Sequence, residues 1–184
     1  MDPLLISQPM TFHFSEARQL LERTPQSLFA LLQGLSPAWL DAQESESSWN
    51  ARQVLMHLLY AETVHWPSRV QVAMSDGAPK LFASFDQTAQ FSVFADHTMD
   101  QLLREFCDQR STNLRMLDAL NLQESDFERC ATHPSLGVVQ LRNILASWTA
   151  HDLAHLVQVA RVFARQYQQE VGPWAQNMSL LRTS

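Results

Sequence analysis

The segment VQLRNILASWTAHDLAHLVQVARVFARQYQ, residues 139–168, is the most regular amphipathic stretch of this 184-residue chain. With 100° between successive side chains of a helix, its large apolar residues fall on one stripe. That stripe consists of Leu141, Leu145, Trp148, Val159 and Val162. Gly172-Pro173 follows the segment and is typical of a helix stop. The pattern predicts a long helix with one buried face.

Two histidines stand on the buried face of this predicted helix. His151 and His155 are four residues apart, so their rings lie on neighbouring turns and can reach one ion. Burying two imidazoles without partners would be costly, and a divalent metal ion is one partner that would satisfy both. The same spacing also occurs in ordinary helical cores. A metal site therefore requires a further ligand from another helix.

Three other segments show the helical period, and together they predict four helices at about 15–33, 51–74, 99–120 and 139–168. Thr24-Pro25 predicts an interruption of the first helix, because Thr can cap a helix and Pro suits the first helical position. Pro67 predicts a kink in the second helix. Ser48 and Asn50 are both candidates for the N-cap of that second helix.

The four glycines favour an all-α fold. They are too few for a glycine-rich nucleotide-binding turn, and no GxGxxG or GxxxxGK[ST] pattern occurs. Gly34, Gly77 and Gly172 stand where the first, second and fourth helices should stop, and Gly137 precedes the fourth. We therefore expect one four-helix-bundle domain over residues 1–184, with its core at about 16–172.

The connections between the predicted helices differ in character. Residues 36–48 are polar, and residues 121–138 form a second irregular connection. Residues 75–98 contain several phenylalanines, which indicates that this connection packs along the bundle instead of hanging free. It is long enough to cross the bundle, so that the second and third helices could run parallel.

Charge and composition exclude several classes of partner. The net charge is −6, and the 13 basic residues, 12 arginines and Lys80, are dispersed. We therefore expect no nucleic-acid partner, and no apolar run approaches the length of a membrane span. The irregular lead at 1–14 has no signal-peptide pattern. Cys107 and Cys130 form no CxxC motif, which favours reduced thiols in a cytoplasmic protein.

A third histidine ligand is available on the second predicted helix. His57 shares an apolar stripe there with Val54, Leu58 and Ala61, and His65 lies on nearly the same face. The two histidines are eight residues apart, which is roughly 12 Å along a helix axis. They cannot both bind the ion that His151 would bind, and periodicity alone leaves the choice between them open.

Other catalytic constellations are weak. Glu62-Thr63-Val64-His65 is the only Glu-x-x-His sequence, whereas a ferritin-like di-metal site needs two such pairs on separate helices. No GxSxG nucleophile motif is present. Three further histidines are predicted in loops or near helix ends, namely His13, His97 and His133.

Two motifs resemble those of the DinB-like superfamily. Residues 49–58, WNARQVLMHL, are similar to its W-S-x-x-x-V-L-x-H-L opening of helix two. Residues 151–161, HDLAHLVQVAR, resemble its H-x-x-x-H-x-x-Q-I motif of helix four, with Val159 in place of isoleucine. Residues 20–25 and 172–174 agree more loosely. The resemblance extends over about 16–181.

This resemblance implies an up-down-down-up four-helix bundle that is commonly a homodimer. It also implies a divalent metal ion, zinc or nickel, held by His57, His151 and His155, with His65 outside the ligand set. From its position one turn beyond His155, Gln158 either orients a ligand or lines the cavity, or it is a polar core residue bonded to a neighbouring helix.

The resemblance specifies the metal site more narrowly than the activity. Relatives include thiol-dependent transferases and isomerases that use mycothiol, bacillithiol or glutathione, and others are described as metal-dependent hydrolases. We therefore expect thiol-dependent S-transfer to small electrophiles. The alternatives are a metal-dependent hydrolase and a metal-stabilised binding or stress-response module without turnover.

Overall fold

Four long helical segments dominate the part of the chain that the computed structural model describes, residues 11–182. The α-helices are α1 (Phe14–Leu32), α2 (Pro37–Leu40), α3 (Ala51–Tyr60), α4 (Trp66–Met74), α5 (Ala89–Val93), α6 (Met99–Ala119) and α7 (Leu141–Gln166). A π-helical turn, Ala61–His65, joins α3 to α4. The remaining elements are strands β1 (Cys130–His133) and β2 (Gly137–Gln140) and 3-10 turns at Glu124–Glu128, Gly172–Asn177 and Ser179–Leu181. Most of the predicted irregular lead, residues 1–10, lies outside the described residues.

Helices α3 and α6 run in the same direction. Arg52 at the start of α3 donates to the carbonyl of His97, just before α6, at 2.9 Å. Glu62, in the π turn that follows α3, forms an ion pair with Arg110, which is farther along α6. The prediction that the second and third bundle helices could be parallel is confirmed.

Helix α7 runs opposite to the second bundle helix, which consists of α3, the π turn and α4. The rings of His57 and His155 lie 4.8 Å apart, whereas Trp66, later in the second bundle helix, stacks on Trp148, which is earlier in α7. Because α1 begins beside the last turn of α6, it is antiparallel to α6. The order is therefore up-down-down-up, as predicted. None of the helices in residues 11–182 is both long and apolar enough to cross a membrane.

Capping boxes fix the starts of two bundle helices. The Asn50 side chain accepts from the Gln53 backbone N–H, and the Gln53 side chain accepts from that of Asn50. Asn50 is therefore the N-cap of α3, and the alternative, Ser48, is not. Thr98 and Gln101 make the same reciprocal bonds at the start of α6. Both boxes satisfy N–H groups that have no partner within a helix.

The predicted interruption at Thr24-Pro25 is wrong, because α1 continues through it. Proline has no N–H to donate to the carbonyl four residues earlier, which is that of Leu21. The guanidinium of Arg110 donates to this carbonyl instead. The Thr24 hydroxyl donates to the carbonyl of Leu20 at 3.0 Å and so does not cap a new helix.

The predicted irregularity at Pro67 takes the form of the π turn that precedes it. In this turn the Trp66 N–H reaches back to the carbonyl of Ala61. Pro67 has no N–H with which to continue that pattern to the carbonyl of Glu62. The side chain of Asn113 on α6 donates to this carbonyl at 2.9 Å. Here too, a polar side chain of α6 supplies the bond that a proline cannot make.

The connection 75–98 packs along the bundle, as its phenylalanines predicted. Phe82 and Phe94 are buried, and the helix α5 lies within the connection. The Phe82 N–H donates to the carbonyl of Thr132 at 3.0 Å, and the Thr132 N–H donates to that of Lys80 at 2.7 Å. Thr132 belongs to a two-stranded antiparallel hairpin, β1–β2, which the sequence reading did not predict. The long connection is therefore fixed at both the hairpin and the bundle.

A charged cluster lies inside the bundle, with Arg110, Glu62 and Asp152 each 1% exposed. The Arg110 guanidinium donates to both carboxylate oxygens of Glu62, at 2.9 and 2.6 Å, and lies 2.7 Å from that of Asp152. Trp148 and Asn113 also donate to the Glu62 carboxylate. Burial raises the pKa of Asp152 to about 6, although Arg110 opposes the shift. One cation is thus shared by two buried carboxylates.

We predict that Arg110→Met strongly destabilises the protein. The substitution leaves the Glu62 and Asp152 carboxylates without their cation and the Leu21 carbonyl without a donor, and breaking a buried pair in this way costs about 3–5 kcal/mol. Urea unfolding measures the loss. Arg104→Met, an equal change at an exposed position of the same helix, should stay within about 0.5 kcal/mol of wild type. Similar stabilities for the two variants would contradict the assigned role of the cluster.

Candidate metal centre

Three histidine side chains from two helices converge at one point. The Nε2 atom of His151 lies 3.0 Å from that of His57 and 3.2 Å from that of His155. His57 comes from α3 and is 5% exposed, whereas the other two come from α7 and are half-buried. The two histidines predicted on the buried face of α7 and the third histidine predicted on the second helix therefore form one group.

Two glutamines orient the rings of this group. His57 Nδ1 lies 2.9 Å from the Gln90 side-chain oxygen, and His155 Nδ1 lies 2.8 Å from that of Gln158. An amide oxygen only accepts, so each of these Nδ1 atoms carries the proton. The Nε2 lone pairs of His57 and His155 are consequently free and point toward His151. Gln158 thus bonds to His155 on its own helix and not to a neighbouring helix, which agrees with the predicted role of orienting a ligand.

Burial disfavours the protonated form of all three imidazoles. It lowers the pKa of His57 to about 4, where the hydrogen bond with Gln90 opposes the shift and the neighbouring His155 adds to it. Burial likewise lowers the pKa of His151 to about 3, and the pKa of His155 is also lowered by burial. The neutral ring is the form in which histidine binds a metal ion.

Aromatic rings enclose the three histidines. The Trp49 ring lies 5.0 Å from that of His57 and stacks on His155 at 6.4 Å. Phe85 packs against His57 at 5.9 Å, and Trp66 packs edge-on against His151 at 5.3 Å. These rings limit the access of water from several sides, which strengthens electrostatic interactions at the centre.

The enclosure links the histidine group to the buried charges. Trp66 stacks on Trp148, with ring centroids 5.8 Å apart and an interplanar angle of 9°. The indole N–H of Trp148 donates to the carboxylate of Glu62 at 2.6 Å. Trp66, whose ring packs against His151, is therefore positioned by Trp148, which is hydrogen-bonded to the Glu62–Arg110 ion pair.

The structure separates His65 and Glu62 from the histidine group. His65 lies in the π turn and packs against Phe85, with ring centroids 4.4 Å apart. The Glu62 carboxylate is bonded to Arg110, Asn113 and Trp148 and is not part of the group. Periodicity could not choose between His57 and His65, and the geometry selects His57.

Gln90 is the part of the site that sequence reasoning missed. It lies in α5, within the connection 75–98, and its side chain is fully buried. No periodic pattern could reveal it, because it comes from an irregular connection 33 residues away from His57. The buried position of Arg110 did leave a signal, since it continues the stripe formed by Phe106 and Leu114 on α6.

The three histidines fit a divalent cation. At Zn–N distances of 2.0–2.1 Å, tetrahedral ligand nitrogens lie about 3.3 Å apart, which is close to the 3.0 and 3.2 Å that separate His151 Nε2 from the Nε2 atoms of His57 and His155. The Nδ1–H groups of His57 and His155 donate to glutamine oxygens, so the Nε2 atoms of both rings carry only lone pairs, and at most one proton, on His151 Nε2, lies between them. A cation at this point would satisfy all three nitrogens. Three protein ligands leave a tetrahedral site with an open position, as in catalytic zinc sites.

The fold and the site define a class: four-helix-bundle proteins with a three-histidine group between α3 and α7. The family model described as the DinB superfamily matches residues 20–159, well over half of the chain. The chain therefore belongs to the DinB superfamily, which the two motifs predicted.

A solved structure has the same fold. YfiT from Bacillus subtilis superimposes with a TM-score of 0.71 at 18% sequence identity, over 87% of this chain and 93% of YfiT. YfiT is described as "a probable metal-dependent hydrolase with an unusual four-helix bundle topology". No protein with a curated description matches the chain in sequence.

We predict that Gln90→Leu weakens metal binding about 10–100-fold, the usual effect of removing a partner that orients a histidine ligand. Leucine preserves the buried volume but leaves the His57 ring without the acceptor for its Nδ1 proton. Competition with a chromophoric chelator measures the zinc affinity. Gln87→Leu, at an exposed position of the same connection, is the matched control and should bind zinc like wild type. Equal affinities for both variants would show that Gln90 does not orient the ring.

Proposed function

We propose that His57, His151 and His155 hold a divalent metal ion, zinc or nickel, and that the protein is a metal-dependent enzyme acting on a small molecule. The convergence of three histidine ring nitrogens within 4.8 Å of one another carries this proposal. The aromatic enclosure supports it, because an ion among such rings would be shielded from bulk water.

The residues of the site suit the activation of a nucleophile. A bound divalent cation lowers the pKa of a water or thiol that it contacts. The group contains no carboxylate, so its side chains leave the positive charge of the ion uncompensated. Gln90 and Gln158 keep the rings of His57 and His155 oriented toward the ion. Trp49 and Phe85 provide apolar walls against which a substrate can pack.

Thiol-dependent S-transfer is the reaction that we propose first. The thiol proton passes to solvent, the sulfur bonds to an electrophilic carbon, and the leaving group departs with its electron pair. Hydrolysis, in which water takes the place of the thiol, is the second candidate. The description of the similarly folded YfiT favours it.

We predict that His57→Ala, His151→Ala and His155→Ala each reduce bound metal from about one equivalent to well below it. The remaining pair of histidines cannot hold the ion with the same affinity. Elemental analysis of the purified proteins measures the content. His97→Ala, at a histidine that pairs with Glu105 away from the group, should retain the full equivalent. Full metal retention in all three site variants would refute the assigned ligands.

We predict turnover that disappears with a chelator and returns on adding zinc or nickel. Purified protein would be assayed with bacillithiol, mycothiol or glutathione against alkyl and aryl electrophiles, and without thiol against activated esters. Turnover only with thiol supports S-transfer, and turnover without thiol supports hydrolysis. A metal-loaded protein that turns over neither class would instead be a metal-stabilised binding module, and the enzymatic proposal would be wrong.

A further inference from the structure

A cavity of about 360 Å³ lies between the second bundle helix and the connection 75–98. One wall is formed by Tyr60, His65 and Arg69, and the facing wall by residues 81–86, including Phe82 and Phe85. Its volume falls at the lower end of the range for sites that bind small molecules. None of the three histidines of the metal centre lines it.

Phe85 separates this cavity from the metal centre. Its ring lies 4.4 Å from that of His65, 5.5 Å from that of Tyr60 and 5.9 Å from that of His57. A single ring therefore contacts both the lining of the cavity and one candidate metal ligand. A molecule in the cavity would lie within one aromatic side chain of the metal centre.

Arg69 gives the cavity a positive charge that the fold does not neutralise. Among residues 11–182, no carboxylate lies within 4.0 Å of its guanidinium, whereas Arg110, Arg129 and Arg142 each have such a partner. Its neighbours are neutral: Nη2 lies 3.0 Å from His133 Nε2, and the guanidinium lies 5.0 Å from the centre of the Phe82 ring. A half-buried cation of this kind gains from an anionic ligand.

The other titratable groups near Arg69 add little charge inside the cavity. Burial, followed by the charge of Arg69, lowers the pKa of His65 to about 3, and the same causes lower that of His133. Asp86 is the acidic residue of the lining, but it is exposed, and its Oδ1 accepts two hydrogen bonds from Thr88 at 2.8 and 2.7 Å. The cavity thus has one cation in its interior and one anion at its rim. A ligand with a single negative charge therefore fits it better than a ligand with two.

We propose that this cavity binds small molecules with one carboxylate and an apolar body. The planar guanidinium of Arg69 pairs with the carboxylate, and the body packs between Phe82 and Phe85. As a substrate subsite this rests on the proposed function, because the end of the molecule far from Arg69 would then reach toward the metal centre past Phe85. The carboxylate pairing itself does not require the metal ion.

The test measures binding of 3-phenylpropionate, with 3-phenylpropanamide as the uncharged probe, to metal-free and zinc-loaded protein by calorimetry or NMR. We expect saturable binding of the carboxylate to both forms and at least tenfold weaker binding of the amide. Arg69→Gln should lower carboxylate affinity at least tenfold, and Arg69→Lys, which keeps the charge but not the planar fork, should lower it less. Arg104→Gln removes an equal charge from an exposed position and should bind like wild type.

The outcomes separate this inference from the proposed function. Carboxylate binding that requires zinc and is unchanged in Arg69→Gln would mean direct binding to the metal, and the Arg69 site would be wrong while the metal centre stood. No saturable binding to either form would also overturn the site. Binding that depends on Arg69 in a protein that cannot be loaded with zinc or nickel would support the site and refute the metal centre.

Discussion

The buried ion pair between Glu62 and Arg110 is the interaction on which the rest of the bundle depends. Neither group is stable inside a protein alone, because a buried charge without a partner costs several kcal/mol. Their pairing forces α6 and the second bundle helix into one register, and Asp152 brings α7 to the same guanidinium. Three of the four bundle helices thus meet at one cation, and α1 joins them through the carbonyl of Leu21.

Helix α6 accommodates both interior prolines of the bundle. Pro25 and Pro67 each leave a carbonyl without its backbone donor, and α6 supplies a side-chain donor to both, from Arg110 and from Asn113. This explains why α1 continues through a proline that would otherwise end it. The π turn before Pro67 contributes Val64 and His65 to the lining of the cavity beside Arg69, and such turns are often found at functional sites.

The candidate metal centre is positioned by this framework more than by its own contacts. Through Trp148 and Trp66, the ion pair holds an aromatic wall against His151. The outer ring nitrogens are oriented separately, by Gln90 from a connection and by Gln158 from α7. The site therefore combines a rigid interior support with Gln90, which comes from a long irregular segment and orients the ring of His57.

The sequence by itself determined the four helices and the spacing of His151 and His155, because helical periodicity and histidine spacing are local properties. The motif resemblance selected His57, and not His65, as the third candidate ligand. Only the tertiary structure decided how Pro25 is accommodated and which residue accepts the hydrogen bond from His57 Nδ1. The partners, Arg110 and Gln90, come from distant parts of the chain. Arg110 was counted with the dispersed basic residues, and its burial followed from two carboxylates on other helices. Periodicity indicates that Arg110 shares the stripe of Phe106 and Leu114 on α6 but not which residues pair with it, because the energy of such long-range pairings arises only when the helices pack.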